Sequence, residues 1–402
     1  MVVVSHFLPA PPRAGNEQRL LQLLRWLRGR GYDVVFVWNG LHQTIDESRL
    51  TQLRREVHAL EVVRSRTWRA VAFLPWPLRR AFWNTYGAVA AARDFRQRLR
   101  PRLRQLEDRF CPPPLMRALE RVVRRWRPSI MLAEYVFMTR AFQAATPGML
   151  RVVDTHDLFS ARHEQVVAHG IDDAHVLDRA TEARLLRRAD LVVVIQDHER
   201  RLVEAMAPGL PVVTVGFDAA VAPGAGDGRV AGRVLLVGSD NAVNARGLRD
   251  FLARAWPVVR AARPDARLRV VGAVARHRVA ADGVDWLGFV DDLAPEYAAC
   301  SVVINPAIAG SGLKIKSAEA LAQRRPLVAW PEGVAGLEAD APPYVVAADW
   351  DDFAAQLLAL LDAPTRLDDR FAAYVDRFAA DRVYGELGRA LADYFSRRRP
   401  RG

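Results

Sequence analysis

Between positions 310 and 321 the chain reads Gly-Ser-Gly-Leu-Lys-Ile-Lys-Ser-Ala-Glu-Ala-Leu, a set of groups suited to an anionic ligand. Glycines such as Gly310 and Gly312 let main-chain N–H groups approach phosphate oxygens closely, and the start of a helix adds partial positive charge. Ser311 adds a hydroxyl, Leu313 carries the loop onward, and Lys314 and Lys316 add charge. Glu319, one to two turns into the expected helix, can accept both hydroxyls of a ribose, as the acidic residue of a dinucleotide-binding fold does. The plainer reading is a glycine loop that only turns the chain and a solvated Glu319. The lysines favour the ligand reading: of 58 basic residues these two alone are lysine, so a compact ammonium is wanted at this place in a chain that otherwise uses arginine.

These residues need a scaffold, and the hydrophobic pattern supplies one. Val2 to Val4 form a short apolar run. A Pro/Gly-rich loop (9–15) follows, then an amphipathic stretch from Glu17 to Arg28 with Leu20, Leu21, Leu24 and Leu27 at helical spacing, then Gly31 and the apolar run Val34 to Trp38. Strand, helix and strand in this order make the βαβ unit of a parallel sheet. Similar runs at 130–134, 151–154, 191–195 and 212–215 extend it. After a turn-rich linker, 222–228, a second series predicts strands at 233–237, 268–271, 284–287, 302–304, 326–329 and 344–346, with helices at 248–262, 295–299, 316–322 and 351–361. The expected fold class is α/β, two Rossmann-like doubly wound domains facing a cleft. The N-terminal one spans 1–220, with a basic, aromatic insertion at about 64–128, and the C-terminal one spans 229–379. A last helix, 380–402, packs back across the interface.

The glycine loop with Lys-x-Lys-x-x-Glu-Ala-Leu, followed by Pro326-Leu-Val and Gly333-Val-Ala-Gly336-Leu, resembles the donor site of retaining glycosyltransferases of family 4, whose fold is called GT-B. Further matches run along the chain: Gly15-Asn-Glu-Gln-Arg19, Asp154-Thr-His-Asp157, Val237-Gly-Ser239 with Asn244, Trp256-Pro257, Gly272 and Gly288-Phe-Val-Asp-Asp-Leu293. The resemblance implies transfer of a sugar from a nucleotide diphosphate sugar to an acceptor hydroxyl, with retention, in glycan, glycolipid or polysaccharide synthesis. It makes Glu319 the ribose ligand, Gly15 the glycine that approaches the diphosphate and the transferred sugar, and Phe289-Val290 the loop whose backbone recognises the base. It puts His156 beside the donor sugar, where it hydrogen-bonds a hydroxyl or stabilises charge; a histidine between two aspartates also suits a structural network. Asn16, Gln18 and Arg19 become acceptor or phosphate contacts, with an exposed helix residue as the alternative for Arg19.

Two departures from the family pattern matter. Ser311 stands where the family has its first glutamate, the donor-sugar contact. Ser239 and Asn244, with Arg246 nearby, stand where it carries an arginine and a lysine to grip the pyrophosphate. Lys314 and Lys316 are expected to supply the missing charge. Asp291-Asp292 is read as a helix cap and not as a cation site, so neither a metal nor another cofactor is expected beyond the donor itself.

Composition bounds the rest. Half of the 402 residues are hydrophobic, more than one core usually accommodates. The N-terminal run has no basic region before it and reads as a buried strand and not as a signal peptide. Cys111 and Cys300 suggest neither a disulfide framework nor a zinc site, which fits a reducing cytoplasm. The net charge of +12 resides in one block: between Arg64 and Arg127 lie 17 arginines against Asp94, Glu107, Asp108 and Glu120. Trp68, Phe73, Trp76, Phe82, Trp83 and Trp126 are interleaved with them. The block suits an anionic membrane surface bearing a lipid-linked acceptor, at the inner face of the membrane, or equally a helical insertion packed on the first domain. Rival functions are a sugar-nucleotide epimerase or hydrolase of the same fold, and a basic nucleic-acid-binding protein. The second is weak because no recognised binding motif accompanies the arginines, and no nucleic-acid partner is expected.

Overall fold

The computed structural model describes residues 1–41, 46–64, 102–171, 176–223, 228–310 and 312–397. Ser311, part of the linker, the chain end beyond 397 and the aromatics Trp68, Phe73, Trp76, Phe82 and Trp83 lie outside the described residues.

The described chain forms two sheets. The first has seven strands in the order β3-β2-β1-β4-β5-β6-β7: β1 (Val2–Ser5), β2 (Val35–Asn39), β3 (Ala59–Val63), β4 (Ile130–Glu134), β5 (Leu150–Asp154), β6 (Leu191–Val194) and β7 (Val212–Thr214). The second has six in the order β10-β9-β8-β11-β12-β13: β8 (Arg233–Val237), β9 (Arg267–Val271), β10 (Val284–Gly288), β11 (Val302–Asn305), β12 (Leu327–Ala329) and β13 (Tyr344–Val346). The pairings of β8 to β13 are parallel, as are those among β1 to β6. In each sheet the strand order reverses once, between β1 and β4 and between β8 and β11, and in such sheets the crevice beyond the carboxyl ends of those strands is where ligands bind.

By internal contacts the chain divides into two compact units: Met1–His156 with Ala180–Val193 and Val203–Val212, and Asp157–Arg179 with Val194–Leu202 and Val213–Gly402.

In the first unit, β1 is buried along its whole length, and the helix Gly15–Gly29 presses Leu20, Leu21, Leu23, Leu24 and Leu27 inward. Each such leucine stabilises by roughly 1.5–3 kcal/mol through area removed from water. In the second unit, alternate residues of each strand feed two separate cores. Val234, Leu236, Val270 and Ile304 meet Phe251, Trp256 and Phe353 on one face. Leu235, Val271, Val303 and Leu327 meet Tyr297, Leu321 and Phe378 on the other.

All twelve expected strands are present. β3 is an addition, a half-buried strand that among the described residues pairs with β2 alone and whose own Glu61 interrupts the apolar pattern. The single helix expected at 248–262 is two, Ala242–Arg254 and Trp256–Ala262, because Pro257 has no N–H to continue the first one. The last helix is likewise split, into Ala380–Val383 and Gly385–Ser396. Glu386 at its second segment accepts from Arg200 Nη1 at 2.9 Å and from Thr214 N–H at 3.3 Å.

Candidate active site

In the second unit the glycine loop leaves β11 at Asn305 and enters the helix Ile315–Ala322. Asn305 is buried and anchors both ends. Its Nδ2 donates to Ser317 Oγ at 2.8 Å and to Gly333 O at 3.3 Å, and its Oδ1 accepts from Ala307 N–H at 3.3 Å. Ser317 Oγ in turn donates to Gly333 O at 2.6 Å. Gly310 sits at φ +116°, where only glycine is at ease.

The two lysines do different work. Lys314 is the residue before the helix, extended, and its Nζ donates back to Gly310 O at 2.7 Å and Gly312 O at 2.8 Å, so it cross-ties the loop. Burial lowers its pKa, against the pull of Asp157 and Glu199. Lys316 Nζ donates to Asn244 Oδ1 at 2.5 Å, while Asn244 Nδ2 donates to Ser239 O at 3.0 Å and Ser239 Oγ at 3.1 Å. Three expected donor-site residues, Ser239, Asn244 and Lys316, are thereby joined in one chain of hydrogen bonds. Burial, with Lys314 nearby, pushes the Lys316 ammonium down to about 7.

Asn244 is held in its turn, since its N–H is capped by Asn241 Oδ1 at 2.8 Å. Its helix lies hard against the loop: a Cβ on Gly247 would stand 2.2 Å from Pro306 O. Glu319 lies one turn into the helix and accepts from Tyr297 O–H at 3.5 Å. Phe289 is 52% exposed after Gly288, and Val290 packs on the core. Arg246 is not drawn toward the loop. Its guanidinium pairs with Asp250 at 2.6 Å on its own helix, as residues four apart do. Of the aspartate pair, Asp292 accepts from Ala294 N–H at 2.9 Å, at the start of the helix Ala294–Ala299.

In the first unit the other expected residues gather at the carboxyl ends of β1, β4 and β5. Arg19 is only 1% exposed, so the exposed-helix reading of it fails; Nη1 meets Asp154 Oδ2 at 2.5 Å and faces His156 Nδ1 at 3.4 Å. His156 Nε2 lies 2.5 Å from Glu134 Oε2. Burial pushes the Glu134 carboxyl up, against the pull of His156. Tyr135 stacks on the His156 ring at 4.6 Å, and its hydroxyl accepts from Asn16 Nδ2 at 3.2 Å. Gly15 is the first residue of the helix that carries Asn16, Gln18 and Arg19. Glu134, Asp154 and His156 offer three ligand-type atoms within 4.8 Å of one another, but the Arg19 guanidinium already supplies a cation to Asp154.

Glu134, Tyr135 and Glu199 were not singled out by sequence. Glu199 is buried, accepts from Leu158 N–H at 3.3 Å and is pushed up to about 8 by burial, then by Asp157. A lone glutamate beside an apolar run carries no local pattern. Its charge becomes notable only when the fold buries it.

Known proteins resemble this chain in part of its sequence and in its fold. A family model described as "Glycosyl transferases group 1" matches residues 231–363, the span that holds the glycine loop, Ser239, Asn244 and Glu319. Over that span the chain is similar to group 1 glycosyltransferases. Over nearly its whole length the chain is similar in fold to three solved structures. Sucrose-phosphate synthase from Thermosynechococcus elongatus is 15% identical, with a TM-score of 0.68 and 98% of each chain covered. Anabaena HepE, solved in complex with UDP and glucose, is 13% identical, with a TM-score of 0.63 and 98% of this chain and 99% of that one covered. A glycosyltransferase from Rickettsia africae is 8% identical, with a TM-score of 0.61 and 98% of each chain covered. The fold is therefore the two-sheet GT-B arrangement. No curated protein matches the chain in sequence.

Proposed function

We propose that this chain is a retaining glycosyltransferase, resembling family 4, that moves a sugar from a nucleoside diphosphate sugar to a hydroxyl of a glycan or lipid-linked acceptor. The observation that carries the reading is the chain Ser239–Asn244–Lys316 at the start of the helix Ile315–Ala322, beside the glycine loop and with Glu319 one turn further in. It gathers a hydroxyl, an amide, an ammonium and a helix N-terminus where a diphosphate can be met, inside the span that matches the group 1 model. That HepE was solved with UDP and glucose supports a nucleotide-sugar donor.

The chemistry needs no protein nucleophile. The bond between the anomeric carbon and the diphosphate breaks, its electron pair leaving with the phosphate oxygen, and an acceptor hydroxyl oxygen attacks from the same face. The hydroxyl proton passes to the departing oxygen. Lys316, the loop amides and the helix N-terminus then stabilise the charge that develops on the diphosphate. The membrane-facing setting rests on the basic segment and the cytoplasmic one on the two isolated cysteines; no helix among the described residues is long and apolar enough to cross a membrane. Sedimentation with anionic vesicles at low salt, lost at high salt, tests that setting.

The activity itself is tested by incubating the protein with UDP-, GDP-, ADP- and dTDP-sugars and simple glycoside acceptors, and following the anomeric proton by NMR. One donor is expected to be consumed, giving a product of unchanged anomeric configuration. An inverted product overturns retention, and no turnover with any donor counts against transfer.

A further inference from the structure

Two asparagines at the start of the helix Ala242–Arg254 have amide orientations that chemistry alone decides. Lys316 Nζ can only donate, so the Asn244 atom that faces it at 2.5 Å is Oδ1; Ser239 O can only accept, so the Asn244 atom that faces it at 3.0 Å is Nδ2. A main-chain N–H likewise only donates. Asn241 therefore turns Oδ1 to Asn244 N–H at 2.8 Å and Nδ2 to Ser239 Oγ at 3.2 Å. Asn244 Nδ2 reaches the same Oγ at 3.1 Å. All of these residues belong to the second unit.

The consequence falls on Ser239. A hydroxyl oxygen has two lone pairs and one O–H, and here both lone pairs receive an amide N–H. What this exposed side chain has left to offer is a donor. Lys316 is in the same position. One of its three N–H groups goes to Asn244 Oδ1, no carboxylate of the described residues pairs with it, and the charge that acts on it is the like charge of Lys314. The amide between them passes the polarity along: Lys316 donates to Asn244 and Asn244 to Ser239, so the row of bonds ends in donors on both sides. Such ends suit a ligand atom that has lone pairs and no proton of its own, the ionised phosphoryl oxygen of a diphosphate.

The turn that carries Ser239 is held in place. Gly238 N–H donates to Val271 O at 2.9 Å, and Gly238 O accepts from Val274 N–H at 3.0 Å. A Cβ on Gly238 would lie 2.9 Å from Val274 Cγ1, so the turn rests directly on the segment after β9.

We propose that Asn241 and Asn244 are positioning residues of the diphosphate site: they take up both lone pairs of Ser239 Oγ and one N–H of Lys316, so that the Ser239 hydroxyl and the Lys316 ammonium both donate to ionised phosphoryl oxygens of the nucleotide. This rests on the transferase reading. Neither asparagine side chain touches the phosphate; each acts through the group that it holds.

The test is a double-mutant cycle on the intact protein, read by calorimetric titration with UDP, GDP, ADP and dTDP. Asn244→Asp keeps the shape and an acceptor for Lys316 but has no N–H, so the Ser239 hydroxyl turns inward to donate to the new carboxylate. Ser239→Ala alone is expected to weaken the nucleotide that binds by roughly 10–100-fold, and Asn244→Asp alone by at least as much. The pair is expected to bind within about 3-fold of Asn244→Asp, because the hydroxyl no longer faces the ligand there. A merely structural Asn244 gives additive losses instead, and these overturn the proposal while leaving the transferase reading in place. Wild-type affinity in Ser239→Ala also overturns it, a result readable even if Asn244→Asp does not fold. If none of the four nucleotides binds, the transferase reading fails and the proposal with it.

Discussion

If Lys316 meets the donor diphosphate, as the proposed function has it, ligand binding and stability pull in opposite directions there. Its ammonium is buried beside Lys314 and is pushed down to about 7 from an ordinary 10.5. Between these values the unfolded chain binds a proton that the folded chain releases, so folding grows more favourable as pH rises through that window, and the penalty is largest below it. Lys316→Met, which removes the penalty, is expected to raise the melting temperature of the nucleotide-free protein clearly at about pH 6 and little at about pH 9.5, while weakening diphosphate binding. An equal gain at both values would mean that Lys316 is not a strained ammonium. The sequence pointed to this residue through its rarity, two lysines among 58 basic residues, but not to the difference between the two. That Lys314 ties Gly310 and Gly312 while Lys316 reaches Asn244, 72 positions away, depends on which way each leaves the helix start. Arg19 shows the opposite limit. Its place on an amphipathic helix suggests exposure, and only the return of β5 beside β1's helix brings Asp154 to it.

At the scale of elements, the helix Ala242–Arg254 sets where Asn244 and, through it, Lys316 stand. Gly247 allows that helix to rest on the backbone of Pro306, since a Cβ there would lie 2.2 Å from a carbonyl oxygen that cannot rotate away. Gly247→Ala is expected to cost about 2–3 kcal/mol in urea unfolding by forcing helix and loop apart. The same displacement lowers diphosphate affinity; a variant as stable as the wild type would show that the contact gives way easily. The start of the helix Trp350–Asp362 was expected within a residue, at 351, whereas that of Ala242–Arg254 was expected six residues late, at 248, because the capping types Asn241 and Asp349, which accept N–H groups of their helices, precede stretches of unequal apolar periodicity. Buried parallel strands were legible as apolar runs of three to five residues. β3 was not, because an edge strand half open to water alternates weakly and keeps charged residues such as Glu61.

At the scale of the molecule, two sheets with the same order about their first strands, β3-β2-β1-β4-β5-β6 and β10-β9-β8-β11-β12-β13, repeat one solution to covering a parallel sheet on both faces. The arrangement was readable because both halves follow strand–helix alternation. The tetrad around His156 was not readable, because four residues from positions 19, 134, 154 and 156 meet only when β1, β4 and β5 lie side by side. Each unit thus brings its polar groups to strand ends at its own reversal point, and the proposed function places the donor on the second unit. Calorimetric titration of the intact protein with UDP, GDP, ADP and dTDP, repeated on Glu319→Ala, tests that assignment most directly. The account predicts tight binding of one nucleotide and its loss by at least about tenfold, roughly 1.4 kcal/mol, when Glu319 is removed. Binding that is indifferent to Glu319, or no binding of any of the four, would contradict it.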